Sequence, residues 1–245
     1  MHTPATTTLA PTRREFTVPP DRDTIITIDG PAGTGKSTVA RELAARIGLD
    51  FLDTGAMYRA AAAIVIDYAI DRDDIDAIVA KVASADLHFD WAIDPPTILA
   101  WDEPIDHRIR DADVTAIVSP IAGIGKLREH MVRKQRIIAN QHPRLVSEGR
   151  DQGSVVFPDA DVKFYLDADP AVRASRRAEQ LRAEGKNPDE RKLLADIIDR
   201  DHSDSTREDG PLICPDDAVV VDTSDLSCDE VVQRLEDEVR TRIEL

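Results

Sequence analysis

The segment Gly30-Pro31-Ala32-Gly33-Thr34-Gly35-Lys36-Ser37 fits G-x-x-x-x-G-K-[ST] and constrains this chain more than any other feature. It follows Thr24-Ile25-Ile26-Thr27-Ile28-Asp29, a β-branched run that predicts a strand, and leads into Ser37 to Ile47, whose apolar spacing predicts a helix. In that context the glycines let backbone N–H groups close around phosphate oxygens, and the helix N-terminus adds positive potential. Lys36 then reaches the β- and γ-phosphates and Ser37 coordinates magnesium. The loop through Thr38 therefore predicts an ATP-type triphosphate site with Mg2+, against the alternative of a glycine-rich turn matching by chance.

The rest of the chain alternates in the same way. Helices are predicted over about 56–68 and 73–84, then two short strands, 87–91 and 97–101, across an Asp-Pro-Pro turn. A helix over 126–141 precedes a strand at 144–147 that ends in Glu148-Gly149-Arg150-Asp151, and 162–166 gives another buried strand. Asp169-Pro170 opens a helix ending near Gly185, Pro188 starts one reaching about Ser205, and the final strand is 218–221. Strands alternating with helices imply a parallel sheet covered on both faces, with its ligand crevice at the carboxyl ends of the strands. Residues 1–22, rich in Thr and Pro and without periodicity, read as a flexible tail before a folded part beginning near Asp23.

Composition removes several function classes. With 47 acidic and 31 basic residues the formal net charge is −16, which disfavours non-specific attraction to nucleic acid or to an anionic membrane. If the substrates are phosphates, the arginines must be gathered locally against that background. Cys214 and Cys228 are too few for a disulfide framework and lack the spacing of a zinc site, and the six histidines form no metal pattern. The N-terminal stretch has no apolar core of a secretion signal, and the run Ala60 to Ile66 is far shorter than the roughly 20 residues a membrane span needs. A cytoplasmic protein is expected.

The phosphate loop alone does not separate a motor, a GTPase, a transporter ATPase and a small-molecule kinase. No Asp stands three residues before a glycine, so the D-x-x-G switch of a GTPase is missing, and Lys186-Asn187-Pro188-Asp189 has the base-reading order wrong. Two segments do discriminate: Asp53-Thr54-Gly55-Ala56-Met57-Tyr58-Arg59, and Gly149-Arg150-Asp151-Gln152-Gly153 followed by Val156-Phe157-Pro158-Asp159-Ala160. With the loop, they make residues 24 to 240 strongly resemble bacterial cytidylate kinases, which carry D-[ST]-G-[AM]-[MI]-Y-R and G-R-D-x-G ahead of V-F-P-D-A.

The resemblance implies a three-layer α/β P-loop kinase fold, a parallel sheet flanked by helices. Its core would cover about 23–60 and 120–245, with a β-containing monophosphate-binding insert over about 61–119 and a helical lid over about 173–200. It implies transfer of the γ-phosphoryl group of ATP to CMP or dCMP. Gly30 to Thr38, including Pro31, Ala32, Gly33, Thr34, Gly35, Lys36 and Ser37, would hold ATP, with Ser37 on the metal. Arg59, Arg150 and Arg207 would contact the acceptor phosphate, Tyr58, Arg200 and Asp204 the sugar, and Asp151, Ser119 and Arg128 the cytosine, with Thr54 beside them. Arg173, Arg176 and Arg177 resemble lid arginines that stabilise charge on the transferring group, and Lys36 would act with them in catalysis.

Elementary chemistry agrees with several of these roles. A nucleoside monophosphate carries about −1.5 to −2 charge at pH 7, which planar guanidinium groups match with paired hydrogen bonds. Arg200, Asp204 and Arg207 share one face of a continuing helix, although a solvated salt-bridged face has the same spacing. Arg173, Arg176 and Arg177 likewise fall on one side, with a solvated basic face as the alternative. Ser119 and Arg128 also fit a helix cap and a surface charge, because Ala122-Gly123-Ile124-Gly125-Lys126 between them departs from the family's usual helix start. Two other readings stay open: a kinase for AMP, UMP or a sugar acid, and a non-catalytic nucleotide-binding module. A monomer working on small molecules alone is expected.

Overall fold

A computed structural model describes residues 16–243. The β-branched run forms strand β1 (Thr24–Asp29), almost wholly buried, and the chain then turns through the glycine-rich loop into α1 (Lys36–Ile47). Two further strands, β2 (Asp50–Asp53) and β6 (Arg144–Glu148), lie to one side of β1. On the other side lie β7 (Val162–Asp167) and β8 (Val219–Asp222), so the sheet runs β2-β6-β1-β7-β8 with every pair parallel. Register places Asp53 beside Glu148 and Glu148 beside Ile28, so the acidic residues that end β1, β2 and β6 gather at one edge. That edge is the carboxyl end where an α/β sheet binds its ligands.

Each face is covered by helices. α1 and the terminal α8 (Cys228–Ile243) bury one apolar side together, Leu43 and Ile47 packing with Val232, Leu235 and Val239 over β1 and β7. The helix α8, unpredicted above, has its buried residues at positions 231, 232, 235, 236, 239 and 243, the spacing of one helix face. On the other side α2 (Thr54–Asp67) is buried on all sides from Ala60 to Val65, which explains the most apolar run in the sequence. It packs among α3 (Ile75–Ser84), α4 (Ala112–Ala122) and α5 (Gly125–Gln141) and against the insert's antiparallel sheet of β3 (His88–Asp90), β4 (Thr97–Ala100) and β5 (Glu103–Pro104). The helix α4 also escaped prediction, since Pro120 in its last turn interrupts the usual helical signal.

The expected tail needs correction over part of its length. Phe16 and Val18 are buried against the α1–α8 layer, and the Val18 N–H donates to Ile47 O at 2.9 Å. Arg144 donates to the carbonyls of Val18, Pro19, Arg22 and Gly48, fastening residues 16–22 to the sheet. Two alternating apolar residues are too short a signal to read as an element, yet enough to dock one. The remainder of the tail, residues 1–15, lies outside the described residues. Between β7 and β8 lie α6 (Pro170–Ala183) and α7 (Glu190–Thr206), an antiparallel pair joined near the expected lid tip.

Candidate active site

The phosphate loop is shaped by glycines that no other residue replaces. Gly30 has φ +143°, and a Cβ there would stand 2.0 Å from the Leu166 carbonyl oxygen. Gly35, left-handed at φ +88°, delivers the chain into α1, so the helix N-terminus opens onto the loop. Lys36 is buried within the loop, its Nζ donating to Pro31 O at 2.6 Å and standing 3.5 Å from Thr34 Oγ1. Burial pushes the Lys36 ammonium down to about 7, helped by Arg150 and opposed by Glu148 and Asp29. Thr38 is exposed on the first turn of α1.

Carboxylates line the opposite wall. Ser37 Oγ donates to Glu148 Oε1 at 2.7 Å, and Thr54 Oγ1 donates to the Glu148 carbonyl at 2.6 Å, which seats the start of α2. Asp53 caps that helix by accepting from the Ala56 N–H at 2.9 Å. Burial, with Asp53 as the next cause, raises Glu148 to about 7. Asp29 accepts from the N–H groups of Gln152 and Gly153 at 2.9 and 2.7 Å, and burial still raises it to about 6. Those two bonds bolt a π-helical turn, Gln152–Val156, to the end of β1.

Arginines converge from α2, α7 and the β6 end. Asp204 is buried between three of them: Arg150 Nε donates to it at 3.0 Å, Arg207 Nη1 lies at 3.7 Å and Arg200 Nε at 4.0 Å. The three do not share one environment. Arg200 and Arg150 act on the charge of Lys36 and stand at the phosphate-loop end, whereas Arg207 feels Arg128, Asp151 and Tyr58. Arg59 lies at the loop end with Arg150, and donates to Thr115 Oγ1 at 3.1 Å and towards Ile109 O at 3.5 Å. Burial lowers both Arg59 and Arg200, the latter to about 10.

The second end of the crevice holds Arg128 and Asp151, a buried ion pair in which Arg128 also donates to Ala122 O at 3.0 Å. Arg128 lies 5.4 Å from the centre of the Tyr58 ring, and burial pushes that phenol up to about 12. The irregular run from Ala122 to Lys126 therefore serves a purpose: its first carbonyl orients Arg128, which begins the second turn of α5 and is no surface charge. Ser119 is half-buried near the end of α4, where its carbonyl accepts from the Gly123 N–H, so it caps no helix start. Gly210, left-handed at φ +56°, passes so close that a Cβ would come within 2.3 Å of Arg128 Nη2.

The α6 arginines point to three places. Arg173 is buried beneath the phosphate loop, donating to Ala32 O at 3.0 Å and Ala168 O at 2.9 Å and paired with Asp201 at 2.6 Å. Arg176 turns towards the segment after β8, donating to Thr223 O at 2.6 Å. Arg177 donates to Gln180 Oε1 at 3.3 Å and, like Arg150, acts on Arg59, which places it on that side of the crevice. Sequence reading passed over Asp29, Asp53, Glu148 and Asp201, as well as Arg110, whose Nη2 lies 4.0 Å from Asp53. Each carboxylate ends a strand or faces an arginine across the crevice, a relation that only strand order and register reveal.

A phosphate loop closed on its own lysine, facing a cage of arginines across the carboxyl edge of a parallel sheet, defines a P-loop kinase of phosphorylated small molecules. The family model for cytidylate kinase matches residues 26–241, and the chain belongs to the cytidylate kinase family. It is 47% identical over 215 residues to the cytidylate kinase of Rhodococcus opacus, covering 86% of this chain and 92% of that protein. With the cytidylate kinase of Corynebacterium efficiens it shares 43% over 216 residues, 88% of this chain and 94% of that protein. For that of Methylococcus capsulatus the figures are 44% over 209 residues, 85% and 93%.

Proposed function

We propose that this chain transfers the γ-phosphoryl group of ATP to CMP or dCMP, giving ADP and CDP or dCDP. The observation that carries the reading is the meeting of the phosphate loop with the Asp204-centred arginines at one sheet edge, in a chain of this family. Ser37 Oγ and the Glu148 carboxylate offer two hard oxygen donors 2.7 Å apart, which suits a Mg2+ ion held mainly by phosphate oxygens and water, since no cluster of three acidic or metal-binding side chains able to hold a metal occurs among the described residues. When bound with ATP, that ion neutralises charge on the β- and γ-phosphates.

The acceptor phosphate is already anionic at neutral pH, so its oxygen attacks phosphorus without a strong general base. The residues therefore supply positioning and charge. Lys36 leaves its loop carbonyl for the phosphates, while Arg59, Arg150 and Arg200 hold the acceptor phosphate near it, and Arg177 approaches from α6. Arg207, Arg128, Asp151, Ser119 and Tyr58 face the nucleoside. Arg173, tied to Asp201 and Ala32, holds the loop in shape, and Arg176 fixes the segment after β8. Among the described residues no helix is long and apolar enough to cross a membrane, and we read the protein as a cytoplasmic monomer acting on small molecules.

The test is coupled ADP release with ATP and magnesium against CMP, dCMP, UMP, AMP and no acceptor. Strong stimulation by the cytidine nucleotides supports the reading. Stimulation by another monophosphate alone moves the base assignment, and ADP release that no acceptor changes rejects it in favour of a nucleotide-binding module.

A further inference from the structure

Behind Asp151 runs a chain of buried side chains that none of the roles above uses. Ser147 Oγ, on β6, donates to Gln152 Oε1 at 2.8 Å. The Gln152 amide nitrogen faces Gln135 Oε1 at 3.2 Å and Asp151 Oδ1 at 3.4 Å. Ser147, Gln152 and Gln135 are wholly buried, and Asp151 is 2% exposed. The orientation of the Gln152 amide is dictated by its surroundings: Asp151 is the partner of Arg128, and turning the amide over would set its oxygen against that carboxylate and against the Gln135 oxygen. Its backbone is fixed as well, through the N–H bonds of residues 152 and 153 to Asp29.

Asp151 is thus held from two sides, Oδ2 by Arg128 and Oδ1 by Gln152. A carboxylate so held has only acceptor sites left to offer. Cytosine presents an amino donor at C4 where uracil presents a carbonyl acceptor. In a site this dry an acceptor facing an acceptor is costly, and orientation of the carboxylate decides how costly. The buried Tyr58 hydroxyl is acted on by the Gln135 amide, so the same network reaches the ring beside the Arg128–Asp151 pair.

We propose that Gln152, anchored by Ser147 and Gln135, is a positioning residue that fixes Asp151 as an acceptor-only group and thereby sets the preference for an amino-bearing over a keto pyrimidine. This rests on the reading that Asp151 meets the nucleobase. The test compares kcat/KM for CMP and UMP, with ATP and magnesium, in the wild type, Gln152→Met, Ser147→Ala and Asp151→Asn.

Gln152→Met preserves volume and removes the amide, and should lower the CMP to UMP ratio about tenfold, the size of effect one hydrogen bond to a charged group carries. Ser147→Ala frees only the far end of the amide and should shift the ratio in the same direction by a smaller factor, which keeps the idea testable if the first variant does not fold. Equal losses for both nucleotides, or an unchanged ratio, would overturn the proposal, because general damage to the fold does not discriminate between bases. Asp151→Asn separates the two layers. If it collapses the ratio while the Gln152 and Ser147 variants leave it intact, only the positioning role fails; if it too leaves the ratio intact, the base-contact reading has failed and the proposal with it.

Discussion

Glu148→Gln should make the ligand-free protein more stable above neutral pH while impairing catalysis. The substitution keeps the shape of the side chain and an acceptor for Ser37 Oγ, and deletes a charge that burial disfavours. Glu148 is pushed from 4.5 to about 7, chiefly by burial and then by Asp53. A carboxyl whose folded pKa lies above its unfolded one contributes stability that is full below the unfolded value and is lost as pH rises through the folded one. At about 1.4 kcal/mol per pH unit, the interval from 4.5 to about 7 sets a ceiling of roughly 3 kcal/mol. That ceiling already contains the attraction of Lys36, and the variant is expected to gain about 1–3 kcal/mol at alkaline pH. Urea unfolding of both proteins from about pH 4 to about pH 8.5 reads this directly as two curves that converge at the acid end and separate at the alkaline end. An offset independent of pH, or a wild type more stable at the alkaline end, would refute the claim that burial sets this group's titration. The same variant should lose roughly 10- to 100-fold in phosphoryl transfer if the carboxylate supports the metal on Ser37.

Three further outcomes follow from the same geometry. Asp204→Asn leaves Arg150, Arg200 and Arg207 without their shared anion and should lower ligand-free stability by about 3 kcal/mol, with inorganic phosphate restoring more of the melting temperature than it adds to the wild type; thermal unfolding with and without phosphate measures it, and an unchanged Tm contradicts it. Lys36→Ala should abolish turnover, and because burial lowers this lysine from 10.5 to about 7, the ligand-free wild type should lose stability relative to the variant as pH falls across that interval and hold a constant difference below it; the paired measurement is ADP release and a pH series of unfolding midpoints, and a difference that does not change across the interval contradicts it. Gly210→Ala places a Cβ against Arg128 from a left-handed backbone and should raise the KM for CMP several-fold with the KM for ATP unchanged, as steady-state kinetics with each substrate varied would show.

Much of the sheet was legible because β1, β6 and β7 are buried on both faces and read as apolar runs bounded by turn residues. The phosphate loop was legible for a different reason: its glycines are required one by one by backbone geometry, so spacing alone carries the information. What stayed hidden was relational. Glu148 looks like the last residue of a strand until β2 and β6 are known to be neighbours and Asp53 falls beside it. Arg200 and Arg207 lie seven residues apart on what reads as one helix face, yet α7 runs only to Thr206, so Arg207 leaves the helix and reaches a different part of the crevice. Arg173, Arg176 and Arg177 share a nominal face as well, but carbonyls of Ala32 and Thr223 capture the first two and leave the third towards the site.

A chain of net charge −16 that binds two polyanions must solve an electrostatic problem, and the structure shows how the cations are kept. Asp204 sits amid Arg150, Arg200 and Arg207, Asp201 under Arg173, and Asp151 on Arg128, so the arginine cage is held together in the absence of substrate by anions of the chain itself. On the proposed reading, acceptor phosphate reaching Arg150 and Arg200 would exchange one anion for another, and binding would reflect the difference between the two pairings rather than the full attraction of the guanidinium groups. The exchange has a useful consequence for the reaction. Interactions already satisfied by a carboxylate add little to ground-state affinity, while charge that moves onto the transferring oxygens is met by groups whose orientation was fixed beforehand. Acidic composition and arginine-rich chemistry are thus compatible here, because some of the carboxylates that make the chain anionic are buried among the arginines and hold the cage in place.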